Sequence, residues 1–324
     1  MKKLALWIAS AAIGIGLSPA AVAQWTPTKP IKMVVPYAPG GAADLTARLM
    51  AEQLGLALGQ TVIVENRAGG GGIIGADVLA KAVPDGYTIS FGSDPPFTIN
   101  PHLQKVPYDP LKSFAHVSLV ANLPLVLVVN PQKMPVKNVA ELVALAKANP
   151  GKFTIASSGN GSSGHLAAEL FKHEAGINLV HVPYKGQAPA NTDMISGHVD
   201  VTFSSIGAAA QHFTSGRLIP LAVSTKDRFS GLPNVPALAE TIPGFDIGVW
   251  LGLTYPVGTP QAAIDRINQE SDKILKTPAV IQRFEKLGYV PVGGKPEVLT
   301  KRVETDYRTF GDLIRTNNIK GDQT

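Results

Sequence analysis

Two glycine-rich segments gather the groups best suited to chemistry. Pro39-Gly40-Gly41-Ala42-Ala43-Asp44 follows the apolar run Ile31 to Val35 and opens an amphipathic stretch, and Ser157-Ser158-Gly159-Asn160-Gly161-Ser162-Ser163-Gly164-His165 is placed the same way further along. At a strand-to-helix junction the free amides and the positive end of the helix dipole both attract anions. Glycine lets a ligand approach the backbone closely, and Asp44 can cap the helix and hold the loop. The hydroxyls of the second segment make it another neutral anion cradle. Either loop taken alone also reads as an ordinary tight turn with a capping residue.

Other chemistries find less support. Gly159 to Gly164 matches G-x-G-x-x-G, but the acid that a dinucleotide site needs about twenty residues later is replaced by Val182-Pro183-Tyr184-Lys185. His165 reads as a helix-face or loop residue without catalytic partners. Neither G-x-S-x-G nor a phosphate-binding G-x-x-x-x-G-K-[ST] occurs, and His173-Glu174 lacks the second histidine of a zincin. The sequence has no cysteine, which removes disulfides, thiol catalysis and Cys-based metal sites. No catalytic residue, cofactor or metal site is expected. The formal charge of +5 becomes about +3 without Lys2 and Lys3, and basic residues are scattered singly, so nucleic-acid binding is not expected either.

The elements that must position the two loops alternate. Strands are expected at Ile31 to Val35, Thr61 to Glu65 and Tyr87 to Phe91, with helices at Ala42 to Leu58 and Ile73 to Ala82. A second set follows, with strands at Phe153 to Ser157, Leu179 to Val182, Val199 to Phe203 and Ile219 to Ser224. Its helices are Val139 to Ala148, Ser162 to Ala175, Ala190 to Ser196 and Ala208 to Ser215. Strands alternating with helices imply parallel sheet. The expected fold is therefore α/β, with two doubly wound lobes joined where Val117 to Val129 and Asp246 to Tyr255 cross. Lobe 1 comprises residues 24–124 plus 248–324, and lobe 2 residues 125–247. The helical tail, Gln261 to Leu287 and Pro296 to Ile314, is expected to pack back on lobe 1. Residues 1–23 carry Lys2 and Lys3, an apolar run too short to span a bilayer, and Ala21-Val22-Ala23, the pattern of a cleaved signal peptide.

The run Lys29-Pro30-Ile31-Lys32-Met33-Val34-Val35-Pro36-Tyr37-Ala38-Pro39-Gly40-Gly41-Ala42-Ala43-Asp44 resembles the start of the tripartite tricarboxylate transporter substrate-binding proteins, the Bug receptors. Val64-Glu65-Asn66-Arg67-Ala68-Gly69-Gly70, Pro84-Asp85-Gly86-Tyr87, Gly159-Asn160-Gly161-Ser162 and Val182-Pro183-Tyr184-Lys185-Gly186 resemble the same family in order. The resemblance implies a periplasmic-binding-protein, or Venus flytrap, architecture that holds a carboxylate between its lobes. It places contacts on Ala38, Gly40, Gly41 and Asp44 in lobe 1 and on Ser157, Gly159 and Ser162 in lobe 2. Phe91, Ser93, Phe97, Tyr184, Phe203, Ser204 and Trp250 are candidates for the ligand's other end, although each aromatic reads equally well as core. The implied function is that of a monomeric periplasmic receptor delivering a small mono- or dicarboxylate, aromatic or not, to the membrane components of such a transporter. An exported α/β hydrolase or oxidoreductase acting on a small acid is the competing reading. Neither loop contains Arg or Lys, and Arg48 lies a full turn beyond Asp44, so neutral dipoles rather than an arginine fork are expected to hold the ligand.

Overall fold

The computed structural model describes residues 25–40 and 42–319. The predicted signal peptide and Gly41 lie outside them. The first unit runs β1 (Ile31–Val35), α1 (Ala42–Leu58), β2 (Val62–Asn66), α2 (Ile73–Ala80), β3 (Thr88–Ser93), then two single-turn helices, α3 (Pro95–Thr98) and α4 (Asn100–Leu103). The long strand β4 (Phe114–Val129) leads into α5 (Val139–Ala148), β5 (Thr154–Ser157), α6 (Ser163–Ala175), β6 (Val180–Pro183), α7 (Gln187–Ser196), β7 (Val201–Ser205), α8 (Ile206–Phe213) and β8 (Ile219–Val223). The chain returns through β9 (Gly248–Pro256) to α9 (Gln261–Leu275), α10 (Pro278–Lys286), β10 (Val290–Pro291) and α11 (Pro296–Thr316).

Strand order is β2-β1-β3-β9-β4-β7-β5-β6, with β8 and β10 also pairing with β4. The outer ladders β1–β2, β1–β3, β5–β6 and β5–β7 are parallel, as the alternating pattern requires. β9 is antiparallel to both β3 and β4, and β4 is antiparallel to β7 and β8, so each half is a mixed sheet rather than a purely parallel one. The crossing lies within β4. Through Pro124 it pairs with β9, Pro124 standing opposite Gly248, and from Leu125 onward it pairs with β7 on one side and β8 on the other. Proline brings no N–H to the ladder and glycine no side chain, so the exchange of partners falls where the ladder is weakest.

Each half-sheet is buried on both faces. One face of the first carries Met33, Met50, Phe91 and Leu253, and the other carries Phe97, Phe114 and Trp250. The second half buries Leu127, Phe171 and Phe203 on one side and Val126, Ala156 and Met194 on the other. The tail departs from expectation. Leu299 and Val303 of α11 pack into the first half beside Trp250, but Phe310 and Ile314 of the same helix join the second half's core. With 21 residues the helix is about 30 Å long, enough to lie across both halves, so it ties them together instead of packing on lobe 1 alone.

Local sequence accounts for the helix ends near the loops. Ser162 caps α6 by accepting the His165 amide at 3.1 Å, and Gly176 closes the helix in the left-handed region. Asn138 caps α5 in the same way through the Glu141 amide.

Candidate functional site

A cavity of about 240 Å³ lies where the two half-sheets meet. Its floor is built by Leu123 and Leu125 of β4 and Val249 and Leu251 of β9, alternate residues that point to one face of the crossing strands. Tyr37, Ala43, Ser93, Pro95 and Tyr289 form the wall on the first half, and Ser158, Ser162, Ser163, Gly164, Gln187, Phe203 and Ser205 the wall on the second. Among the described residues no charged side chain lines it. A larger groove of about 490 Å³ lies elsewhere, along α9, α11 and the start of β4, with Asp265, Lys295 and Glu297 among its lining; neither glycine loop reaches it.

In the first loop Asp44 is buried and its carboxylate is fully engaged. Oδ2 accepts the Gly40 amide and Arg48 Nε, each at 2.9 Å, and Oδ1 accepts Asn66 Nδ2 at 2.9 Å. Burial alone would raise its pKa, but the bonds from Arg48, Gly40 and Asn66 outweigh it and hold the carboxyl below its ordinary value. Asn66 also donates to the Tyr37 carbonyl at 2.9 Å and so pins the loop from β2. Asp44 therefore shapes the loop, and the Gly40 amide is turned back onto it. Ala38 and Gly40 stand exposed beside the cavity rather than in its lining. The two nearby arginines are also committed: Arg48 to Asp44 and Asn66, and Arg67 to Glu65.

The second loop is tightly cross-braced. Gly159 has φ +128°, and a Cβ there would fall 3.0 Å from the Tyr184 carbonyl, so only glycine fits without strain. Ser162 Oγ donates to the Gly159 carbonyl at 2.7 Å while capping α6. Ser157 is buried, and its hydroxyl is shared among Gly159 and His181 Nε2, the latter at 2.7 Å. Tyr184 donates to Asp193 at 2.7 Å, and Ser204 is buried with its hydroxyl on Asn191, 3.2 Å away. Of the residues expected from sequence, Ser93 and Ser162 face the cavity, Phe203 joins them, and Ser157, Gly159, Tyr184 and Ser204 support the loops behind it. Phe91, Phe97 and Trp250 belong to the core.

The amides of Ser163 and Gly164 open α6, where intrahelical acceptors do not exist, and both residues line the cavity. They are the natural seat for an anion. Facing them, Tyr37 and Ser93 bond to one another through their hydroxyls. Tyr37, Gln187, Ser205, Tyr289 and the leucine floor escaped the sequence reading; the position of Tyr37 two residues before Pro39 was the one available signal. Asp94, between the lining residues Ser93 and Pro95, is fully buried and accepts Ser163 Oγ at 2.8 Å, a hydrogen bond from one half to the other. Burial, with Asp306 adding to it against the Ser163 bond, lifts the Asp94 pKa to about 7.

Two constellations near the loop resemble chemical sites and are not built as such. Ser157 and His181 have the spacing of a nucleophile and base, yet Ser157 is buried outside the cavity, where no solute reaches it. His165, Glu169 and His181 bring ligand atoms within 4.8 Å of one another. The two rings are stacked 4.1 Å apart at 11°, and His165 Nδ1 already accepts the Gly161 amide. A cation is held in the plane of an imidazole, and two nearly parallel planes offset by stacking do not share one, so these residues do not fit a metal.

The family model of the tripartite tricarboxylate transporter family receptor matches residues 46–319. Protein BugT of Bordetella pertussis is 35% identical over 320 residues, covering 98% of this chain and 97% of BugT. Among solved structures, R. palustris Rpa4515 with adipate is 33% identical, with a TM-score of 0.83 over 91% of this chain and 99% of the other. MatC (Rpa3494) from Rhodopseudomonas palustris with bound malate is 29% identical, with a TM-score of 0.79 over 89% of this chain and 99% of that one. Two α/β halves of periplasmic-binding-protein type, joined by crossing strands around an uncharged cavity, together with a match across most of its length, establish that this chain belongs to the tripartite tricarboxylate transporter receptor family, the Bug receptors.

Proposed function

We propose that this protein is a periplasmic solute receptor that closes on a small carboxylate and delivers it to the membrane components of a tripartite tricarboxylate transporter. The observation that carries the reading is the uncharged cavity between the halves, onto which the first turn of α6 opens its free amides. Such donors hold an anion without a fixed cation and leave it free to depart when the lobes part. Lobe 1 is taken as residues 24–124 plus 248–324 and lobe 2 as 125–247, a division supported by the change of partners at Pro124 and Leu125. The terminal part of α11 is the exception, because it contributes to lobe 2's core. Ser93 and Ser162 are the proposed side-chain contacts, and Gly159 and Ser157 hold the loop. Residues 1–23 are the proposed export signal. The relatives' adipate and malate support an acid as ligand here, and the buried position of Ser157 speaks against hydrolysis.

The test is calorimetric titration of the purified protein with a panel of mono- and dicarboxylates and matched neutral amides, with small-angle scattering alongside. Saturable binding of at least one acid, absent for its amide and accompanied by compaction, is expected. Binding of amides as tightly as acids, or hydrolysis of an ester of the bound acid, would overturn the reading.

A further inference from the structure

Asp94 stands where an acid is hard to keep ionised, and the sequence around it supplies the reason. It is the N-cap of α3, a position at which a carboxylate is ordinarily held by the amides of the first turn. Here the next two residues are Pro95 and Pro96, which have no N–H, and the amide after them, that of Phe97, is taken by the Asp94 carbonyl. The side chain makes no capping bond. Its Oδ2 accepts Ser163 Oγ from the other half, whereas Oδ1 is buried with no hydrogen-bond partner among the described residues. The surrounding groups do not compensate. On α11, Arg302 donates to Asp306 at 2.6 Å and to the Gly248 carbonyl at 3.2 Å, and Asp306 itself adds a like charge. The Tyr37 phenol bonds to Ser93, and burial raises its pKa, so it stays neutral. His116, edge-on to Phe97 of α3, is held down to about 4 by burial, and burial also lowers His102 of α4. On α6, His165 is stacked on His181, and its Nδ1 accepts the Gly161 amide.

Ser163 connects this carboxyl to the seat for the solute. Its hydroxyl is on Asp94, while its amide, with that of Gly164, opens α6 toward the cavity. An anion on those amides and a charged Asp94 would be separated by two hydrogen bonds around one serine, roughly 6 Å, and at that range each like charge disfavours the other. Resting on the receptor reading, we infer that the solute binds together with a proton: when a carboxylate settles on the first turn of α6, Asp94 takes a proton from water, so that one negative charge and not two lies between the lobes. The coupling is reciprocal, so a protonated Asp94 favours the solute as much as the solute favours the proton. In the empty protein the carboxyl titrates at about 7. Below that pH the proton is already in place and affinity is at its plateau. Above it each binding event must draw a proton, and affinity falls until pH passes the higher pKa of the loaded protein.

Calorimetry on the whole protein tests this. Adipate, malate, hexanoate and benzoate are titrated first, and the tightest of them is then titrated from pH 6 to 8.5. Its affinity is expected to fall about tenfold between pH 6 and 8, and at pH 8, in buffers of different ionisation enthalpy, the heats should report uptake of roughly half a proton or more per acid bound. Affinity that is flat with pH, without proton uptake, would overturn the inference and leave the receptor reading standing; no binding by any of the four acids at millimolar concentration would overturn both. Two variants assign the proton. In Asp94→Asn the pH dependence and the proton uptake should both disappear; if they survive, another group such as His165 titrates and the assignment to Asp94 is refuted. Ser163→Ala removes the bond that favours the charged carboxyl while keeping the amide, so the fall in affinity should begin at higher pH. A midpoint that stays in place or moves to lower pH would refute coupling through Ser163.

Discussion

Replacing Asp94 by Asn should remove one loss of stability that the native protein suffers as pH rises. The carboxyl's pKa rises from 3.8 to about 7 because burial penalises its charged form, with Asp306 adding to that and the Ser163 bond opposing it. Below about pH 4 the folded and unfolded chains both keep the proton, so the residue costs nothing there. Between about pH 4 and 7 the unfolded chain releases it while the folded chain retains it, and stability falls as pH rises. Above about pH 7 the cost is constant, and three units at ~1.4 kcal/mol each set it on the order of 4 kcal/mol. Asn keeps an oxygen to accept Ser163 Oγ and puts a neutral amide where the acid would ionise. Asp306, also raised by burial, is present in both proteins and largely cancels in the difference. Scanning calorimetry of both proteins from pH 4.5 to 8.5 should therefore find them close at the acid end and the Asn variant more stable at the alkaline end. At ~2 °C per kcal/mol for a chain of this size the gap in Tm is roughly 8 °C. A difference that stays constant with pH, or that opens at the acid end instead, would refute the argument.

Gly207 faces the Leu287 carbonyl across the cleft, and a Cβ there would sit 2.7 Å from that oxygen; Gly207→Ala should prop the lobes apart, weaken ligand about tenfold and enlarge the scattering radius, while an unaltered radius with unaltered affinity would count against it. Gly159→Ala must accept φ +128° and a contact of 3.0 Å with Tyr184, so a loss of about 1–3 kcal/mol in unfolding experiments is expected together with weaker binding. Because Arg48 and Arg67 are committed to Asp44 and Glu65, Arg48→Gln and Arg67→Gln should each change ligand affinity by less than about tenfold, and affinity should vary little between low and moderate salt; a hundredfold loss in either variant would mean that an arginine reaches the ligand. Asn138→Ala removes the α5 cap, well away from the cavity, and should lower stability by about 1 kcal/mol with binding unchanged.

The strand–loop–helix units were legible because each has a periodic apolar face and a glycine or proline stop. Ile31–Val35 and Ala42–Leu58 fall where the pattern places them, and β4 and β9 lie on the two expected crossings. The short helices α3 and α4 were not, since Pro95, Pro96 and Pro101 read as breakers and only tertiary contact holds single turns together. The dual allegiance of α11 was equally hidden: a helix with one apolar stripe gives no sign that its two ends face different cores. For the site, sequence finds the loops but not the direction of each side chain. Ser157 and Ser204 carry the right chemistry and turn inward, whereas Ser93 faces the cavity, and that difference is set by register on neighbouring strands.

The place of β9 in the strand order bears on how the chain folds. Between β3, which ends at Ser93, and β4, which begins at Phe114, the first sheet inserts a strand made of residues 248–256. Until that strand is present β3 has an open edge, and until α11 follows both halves lack part of their cores. Contacts of such high sequence separation incur loop-closure entropy before they return any stability, which makes folding slow. A chain wired in this way stays uncommitted until nearly all of it is available, and an uncommitted chain is the form that can be threaded through a narrow channel before it folds.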